Sequence, residues 1–226
     1  MHYLNDWLSK FFEMLHNGIA TFIPNSNISY GLSIILFTVI VRVILLPINI
    51  KQMKSTVKMS KIQPEIKKLQ DKYKSDPQKA QAEVMKLYKE NSVNPLGGCL
   101  PLIIQMPILF ALYYVFLNLP DISGVSFLWI NDLGGIPSFK QPLTLILPIL
   151  SGITTYLSSA MMAVKGDGMQ AKQASMMNIF MSVFIVWMSL RFKEALVLYW
   201  VTNNLIQIAQ TLVIKKGENS DSKQGA

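Results

Sequence analysis

The sequence predicts an all-α membrane protein, with five transmembrane helices around a hydrophilic groove, a cytoplasmic helical hairpin and an N-terminal interfacial amphipathic helix. Three observations lead there. Hydrophobic residues make up 51% of the 226 residues and charged residues only 15%, whereas a soluble domain carries about 25% charged residues. Apolar runs long enough to cross a bilayer recur along the chain, while barrel strands would alternate in pieces of about 10 residues. The net charge of +8 is gathered rather than spread, with most lysines between Lys51 and Lys89. That distribution argues against a basic surface covering the whole protein, so DNA is not an expected partner.

Residues 1–28 are expected to form an extracytoplasmic amphipathic helix and linker. Leu4, Trp7, Leu8, Phe11 and Leu15 recur at helical spacing, with Asn5, Asp6, Ser9, Lys10 and Glu13 between them. Such a helix lies in the membrane interface beside the first span. The segment does not read as a cleaved signal peptide, because it lacks the basic start, unbroken apolar core and small-residue cleavage site, and it holds no lipobox cysteine.

Five segments then qualify as spans: residues 29–50, 99–119, 142–164, 174–190 and 195–214. A span needs about 20 residues, so the fourth is short but acceptable. Residues 95–214 thus hold transmembrane helices two to five, and residues 215–226 form a polar, disordered cytoplasmic tail. Placing the N-terminus outside gives the cytoplasm the 51–89 lysines, Lys165, Lys172, Lys215, Lys216 and Lys223. The outside then keeps only Lys10, Lys140, Arg191 and Lys193. The positive-inside rule prefers that arrangement.

Residues 51–94 are expected to form the cytoplasmic hairpin. Ile62, Ile66, Leu69 and Tyr73 make one apolar stripe; Ser75-Asp76-Pro77 breaks it, with Asp76 as N-cap and Pro77 at the first helical position. A second helix follows, with Ala80, Val84, Leu87 and Tyr88 inward. The lysines read as a solvated face and topology signal, or as a docking surface for anionic headgroups or ribosomal RNA.

Arg42 is the most informative residue, because it sits inside the apolar run of residues 34–46. Arginine stays charged, because its guanidinium holds its proton far above neutral pH. Its placement near mid-bilayer costs roughly 2.5–3.5 kcal/mol on insertion scales. None of the five segments contains Asp or Glu, so no internal ion pair is available. Arg42 must snorkel toward the headgroups, face a water-filled cavity, or await a carboxylate on another chain. Polar stripes favour the cavity. Ser151, Thr154, Thr155 and Ser158 share one face of the third span, and Asn203, Gln207 and Gln210 one face of the fifth, while the second contributes Gln105. Any one of these residues alone reads first as an ordinary helix-to-helix hydrogen bond, worth about 0.6 kcal/mol per contact; polar positions on three spans beside an unpaired arginine shift the reading to a shared wet groove.

Other chemistry finds little material. Cys99 is the only cysteine, and His2 and His16 lie apart from the polar clusters, so neither a metal nor another cofactor is expected. The spans offer serines without a His, Asp or Glu beside them, which argues against an intramembrane enzyme. Gly97-Gly98 and Gly134-Gly135 lack the context of a phosphate-binding loop. The thirteen methionines read as adaptable packing, several at the inner end of spans three and four. Phe127, Trp129 and Trp187 fit interfacial belts or ordinary core.

Several blocks resemble the bacterial insertases of the YidC family, to which mitochondrial oxidase-assembly and chloroplast Albino-type proteins also belong. They are Val41-Arg42 with Leu45-Leu46-Pro47, Gln63-Pro64-Glu65, and Leu87-Tyr88-Lys89-Glu90. The most specific runs from Val93-Asn94-Pro95-Leu96-Gly97-Gly98-Cys99 through Gln105-Met106-Pro107 to Ala111-Leu112-Tyr113, and the last is Leu198-Tyr199-Trp200-Val201-Thr202-Asn203-Asn204. The resemblance implies a monomeric five-helix core in a bacterial plasma membrane. Its groove would open to the cytoplasm and to lipid, with Arg42 as its positive charge. Gln105, Trp200 and the third-span polar face would line or border it. It also implies nascent membrane proteins as clients, the ribosome, the Sec translocon and signal-recognition machinery as partners, and lateral release into lipid without a nucleotide. The sequence departs from relatives in using serines and threonines on the third span where they often show glutamine. A small-anion transporter or channel using the same arginine is the rival reading, weakened by the lack of a convincing internal repeat.

Overall fold

The computed structural model of the chain describes residues 2–93, 100–162 and 169–224. These form eight α-helices: α1 (His2–Phe22), α2 (Ser26–Ile44), α3 (Leu46–Lys72), α4 (Pro77–Glu90), α5 (Leu100–Leu117), α6 (Ile146–Met162), α7 (Met169–Ser189) and α8 (Glu194–Gln224). The described residues contain no β-strand beyond an isolated bridge between Phe127 and Ile130. Three helices are long and apolar enough to cross a membrane, over Ser26–Ile44, Pro142–Met162 and Glu194–Lys216, and Gln105–Leu117 is a shorter apolar helix. The Asn94-to-Cys99 part of the most specific sequence block, Val164 at the end of the expected third segment, and Lys165 lie outside the described residues.

α1 packs on α2 and α5. The burying stripe is rotated from the one read in the sequence: Phe12 is fully buried and Leu8 nearly so, while Trp7 faces outward. Phe12 meets Phe116 of α5 edge-on at 5.6 Å between centroids and lies 6.0 Å from Phe37 of α2, so aromatic packing fastens this helix to the bundle. Further along, His16 stacks on Tyr30 with centroids 3.8 Å apart. Burial lowers the His16 pKa from its ordinary 6.5, against the opposing pull of Asp121 and of a backbone hydrogen bond at Ser29.

The first apolar segment, expected as one helix over residues 29–50, is divided. α2 begins after Asn25, whose side chain accepts from the Asn27 N–H, and ends at Ile44. Leu45 separates it from α3, which carries Pro47 in its first turn. Proline has no N–H and its ring crowds the carbonyl four residues earlier, which favours a break before it and suits it to the first turn of α3. Arg42 therefore sits in the last turn of α2, much closer to a helix end than a span reaching residue 50 implies.

α3 and α4 pack on one another through Ile62, Ile66, Val84, Tyr88 and Val93. Asp76 caps α4 by accepting from the Lys79 N–H at 3.0 Å, with Pro77 opening the helix. Beyond α5, residues 118–141 fold over the end of the bundle at which α8 starts. Ile122, Ile130 and Leu133 are buried there. Asp132 Oδ1 accepts from the N–H groups of Gly124 and Gly134 at 2.8 Å each. The carbonyls of Gly135 and Leu133 accept from Glu194 and Ala195 at 2.9 Å each, satisfying the start of α8. The Phe127 ring rests on Gly31, where a Cβ would come within 2.1 Å of it. Phe127 is therefore core, and Trp129 is partly exposed.

α6 packs on both α7 and α8, and its approach to α7 requires Gly152, whose missing Cβ would stand 2.3 Å from Val186. α8 continues to Gln224, which corrects the expectation of a disordered tail after Ile214. The Lys215 ammonium donates to the Met161 carbonyl of α6, so a cation read as tail charge instead ties the end of α8 to its neighbour.

Candidate functional site

A cavity of about 990 Å³ opens between α2, α3, α5, α6, α7 and α8. Arg42 forms part of its wall and is only 6% exposed. Its Nε donates to the Asn203 side-chain oxygen at 2.6 Å, and its Nη2 to the Asn203 carbonyl at 3.0 Å and to Gln207 Oε1 at 2.8 Å. Three neutral oxygens, from two residues one turn apart on α8, thus hold a charge that no carboxylate among the described residues bonds. The guanidinium is directed at α8 and does not lie sealed among aliphatic side chains. It faces a cavity.

The other expected site residues divide by environment. Gln105, Thr155, Ser158, Trp200, Asn203 and Gln207 line the same cavity as Arg42, and so does Gln210. Ser151 and Thr154 are buried beside it in helix contacts. The Ser151 hydroxyl lies 2.7 Å from the Pro148 carbonyl and 2.9 Å from the Ser189 hydroxyl, and Thr154 bonds the Leu150 carbonyl at 2.8 Å. One helix face thus serves several tasks: Ser151 joins α6 to α7, Thr154 lies against α8, and Thr155 and Ser158 line the cavity.

Against this geometry, comparison with known proteins is direct. The family described as "60Kd inner membrane protein" matches residues 22–222. The chain is 53% identical over 222 residues to a protein of Clostridium tetani named "Membrane protein insertase YidC", covering 98% of both chains. It is 54% identical to the protein of that name from Clostridium acetobutylicum, covering 93% of this chain and 83% of the relative. To "Membrane protein insertase MisCA" of Bacillus subtilis it is 44% identical, over 83% of this chain and 70% of the relative. The chain belongs to the 60Kd inner membrane protein family. It is accordingly a bacterial membrane protein, and the resemblance drawn from its motifs holds.

In this member of the 60Kd inner membrane protein family, the motif from Leu198 to Asn204 is itself a wall of the cavity. Trp200 Nε1 donates to the Thr155 hydroxyl at 2.9 Å, and the Asn204 amide lies 2.9 Å from that hydroxyl and 3.2 Å from that of Thr154. Tyr199, fully buried on the adjacent face, takes a hydrogen bond from Gln105 Nε2 at 2.9 Å. The Tyr199 hydroxyl thereby ties α8 to α5, and the Trp200 indole and Asn204 amide tie it to α6, which fixes the oxygens that meet Arg42.

Reasoning from sequence missed part of the wall. Asn49 and Gln52 of α3 and Asn178 of α7 also line the cavity. The first two sit three residues apart, hence on one helix face, a signal hidden by the lysines around them. The remaining surface is largely apolar and soft: Met53, Met59, Met106, Met162, Met177, Met181 and Met188 all contribute. These unbranched, polarizable side chains accommodate varied shapes.

Proposed function

We infer that the chain is a membrane protein insertase, which receives nascent membrane proteins in this cavity and releases them laterally into the bilayer. The observation that carries the reading is Arg42: a charge in the wall of a large cavity, held by neutral amides rather than neutralised by an acid. Its Nη1 group makes no hydrogen bond to a described residue, which leaves donors for an incoming carboxylate. The names borne by its relatives support the same reading and do not favour small-anion transport.

α2, α5, α6, α7 and α8 act as five transmembrane helices, with the N-terminus outside and the C-terminus in the cytoplasm. α3 and α4 form the cytoplasmic hairpin, whose lysines meet anionic lipid or the ribosome, and the fold over residues 118–141 closes the outer end. Ribosome, Sec translocon and signal-recognition machinery deliver clients on that inner side. A client with a short acidic outer segment places that segment in the groove. Arg42 gives its carboxylate a temporary partner, with Gln105, Thr155, Ser158, Trp200, Asn203 and Gln207 providing a polar surround and Ser151 and Thr154 bracing it. An outside-positive potential draws each anion outward, by about 2.3 kcal/mol for a charge crossing 100 mV. Burial of the client's apolar helix in lipid, roughly 25 cal/mol for each Å², drives its release. Neither a covalent step nor a cofactor enters this sequence of events.

The test is complementation of an insertase-depleted bacterial strain with Arg42→Ala and Arg42→Lys. Arg42→Ala is expected to lose insertion of a single-span client with an acidic outer segment, and Arg42→Lys to retain part of it. Full insertion by Arg42→Ala would remove the arginine from the mechanism.

A further inference from the structure

Three polar atoms on side chains that line the cavity have no partner among the described residues. Asn49 Nδ2, Gln52 Nε2 and Asn178 Oδ1 are shut off from solvent and hydrogen-bond to nothing among the described residues. Gln52 and Asn178 are 5% and 9% exposed, and all three side chains line the cavity that holds Arg42. Buried polar groups are almost always bonded, so three orphans on side chains that line one cavity call for a reason. Packing does not supply it, because an apolar side chain of the same shape removes an unsatisfied group at no loss of contact.

The set has a chemistry. Asn49 and Gln52 offer amide N–H donors from one face of α3, and Asn178 offers an amide oxygen from α7, across a cavity padded by methionine. Donors and an acceptor of amide type match the carbonyls and N–H groups of a polypeptide main chain, which must be satisfied wherever a chain crosses an apolar region without helical structure. Rotation about the terminal side-chain torsion, which is broad in Asn and Gln, turns each group into the space its stem already lines. Arg42, in contrast, selects charge.

We propose that Asn49, Gln52 and Asn178 form a second, uncharged subsite of the groove that hydrogen-bonds the main chain of a passing client segment, whatever that segment's charge. The proposal rests on the insertase reading and extends it: one wall reads carboxylates, the other the backbone common to all clients.

The experiment uses the full chain in proteoliposomes and two single-span clients, identical except that the outer segment is acidic in one and uncharged in the other. Gln52→Met and Asn178→Leu are each expected to slow insertion of both clients alike, by about twofold to tenfold, the range one hydrogen bond spans. Arg42→Ala is expected to slow the acidic client alone. Asn178→Leu also gives up a bond from Nδ2 to the Tyr156 carbonyl, whereas Gln52 Nε2 has no bond to give up among the described residues. Gln52→Met should therefore melt no lower than the parent, and higher if the orphan is costly. Replacing main-chain amides of the client's outer segment by esters should slow the parent protein and leave Gln52→Met less affected. Losses confined to the acidic client, unchanged insertion of both, or a loss that disappears when anionic lipid is omitted would each overturn the proposal; the last would assign the subsite to a lipid headgroup. Failure of the parent protein to insert either client would instead fault the insertase reading itself.

Discussion

The hold of α8 on Arg42 can be measured by removing one oxygen. Asn203 gives Arg42 both its side-chain oxygen, at 2.6 Å from Nε, and its main-chain carbonyl, at 3.0 Å from Nη2. Asn203→Leu deletes the first and leaves the second, together with Gln207 at 2.8 Å. A hydrogen bond to a charged group contributes about 1.5–3 kcal/mol, whereas a neutral contact between membrane helices averages roughly 0.6 kcal/mol. Asn203→Leu should therefore destabilise the parent protein by about 1.5–3 kcal/mol. In an Arg42→Met background the same change should cost about 0.6 kcal/mol or less. The coupling, about 1–2 kcal/mol, is obtained from denaturant unfolding of the four proteins in detergent micelles, followed by tryptophan fluorescence. Additive effects, with a coupling below about 0.3 kcal/mol, would show that Asn203 does not hold the guanidinium.

Three further outcomes are expected. Gly31→Ala places a methyl group 2.1 Å from the Phe127 ring and should cost about 1–3 kcal/mol in the same unfolding assay, partly restored by Phe127→Leu. Asp76→Ala removes the acceptor for the Lys79 N–H; a loss of about 1 kcal/mol should appear as faster amide exchange in the first turn of α4. His16 has a pKa below its ordinary 6.5 in the folded protein, so the unfolded chain binds the proton more tightly. The stability associated with neutral His16 is complete above pH 6.5 and declines as pH falls through 6.5 toward the folded-state value. Melting temperatures of the parent protein and His16→Gln should therefore converge or cross on acidification, and parallel curves would contradict the assignment.

The features legible from sequence are those fixed by solvent and by local chemistry. An arginine in an apolar run with no acid to meet it announces a polar surround, and the spacing of Asn203 and Gln207 places them on one face of α8. The Asp76-Pro77 start of α4 follows from one capping side chain and one fixed φ. What escaped the sequence depends on how helices face each other. Periodicity identified the Ser151-to-Ser158 face, yet only the position of α7 decides that Ser151 meets Ser189 while Ser158 faces the cavity. Phe12 was hidden because two overlapping stripes run along α1, and the choice between them is made by Phe37 and Phe116. Pro47 carried the signal for the break at Leu45, but Ile48 and Ile50 prolong the apolar run just past it. Asn49 and Gln52 lie among lysines, where polarity reads as exposure until α3 is placed beside the cavity.

The most direct measurement of the central claim is photocrosslinking from the cavity wall to a stalled nascent chain. A photoreactive residue replacing Ser158 or Met106, which line the cavity, should capture a ribosome-bound client whose first span has just emerged. The same probe at Ile149, on the exposed face of α6, should not. Equal capture from all three positions, or capture from Ile149 alone, would place the client's path outside the cavity and contradict the account.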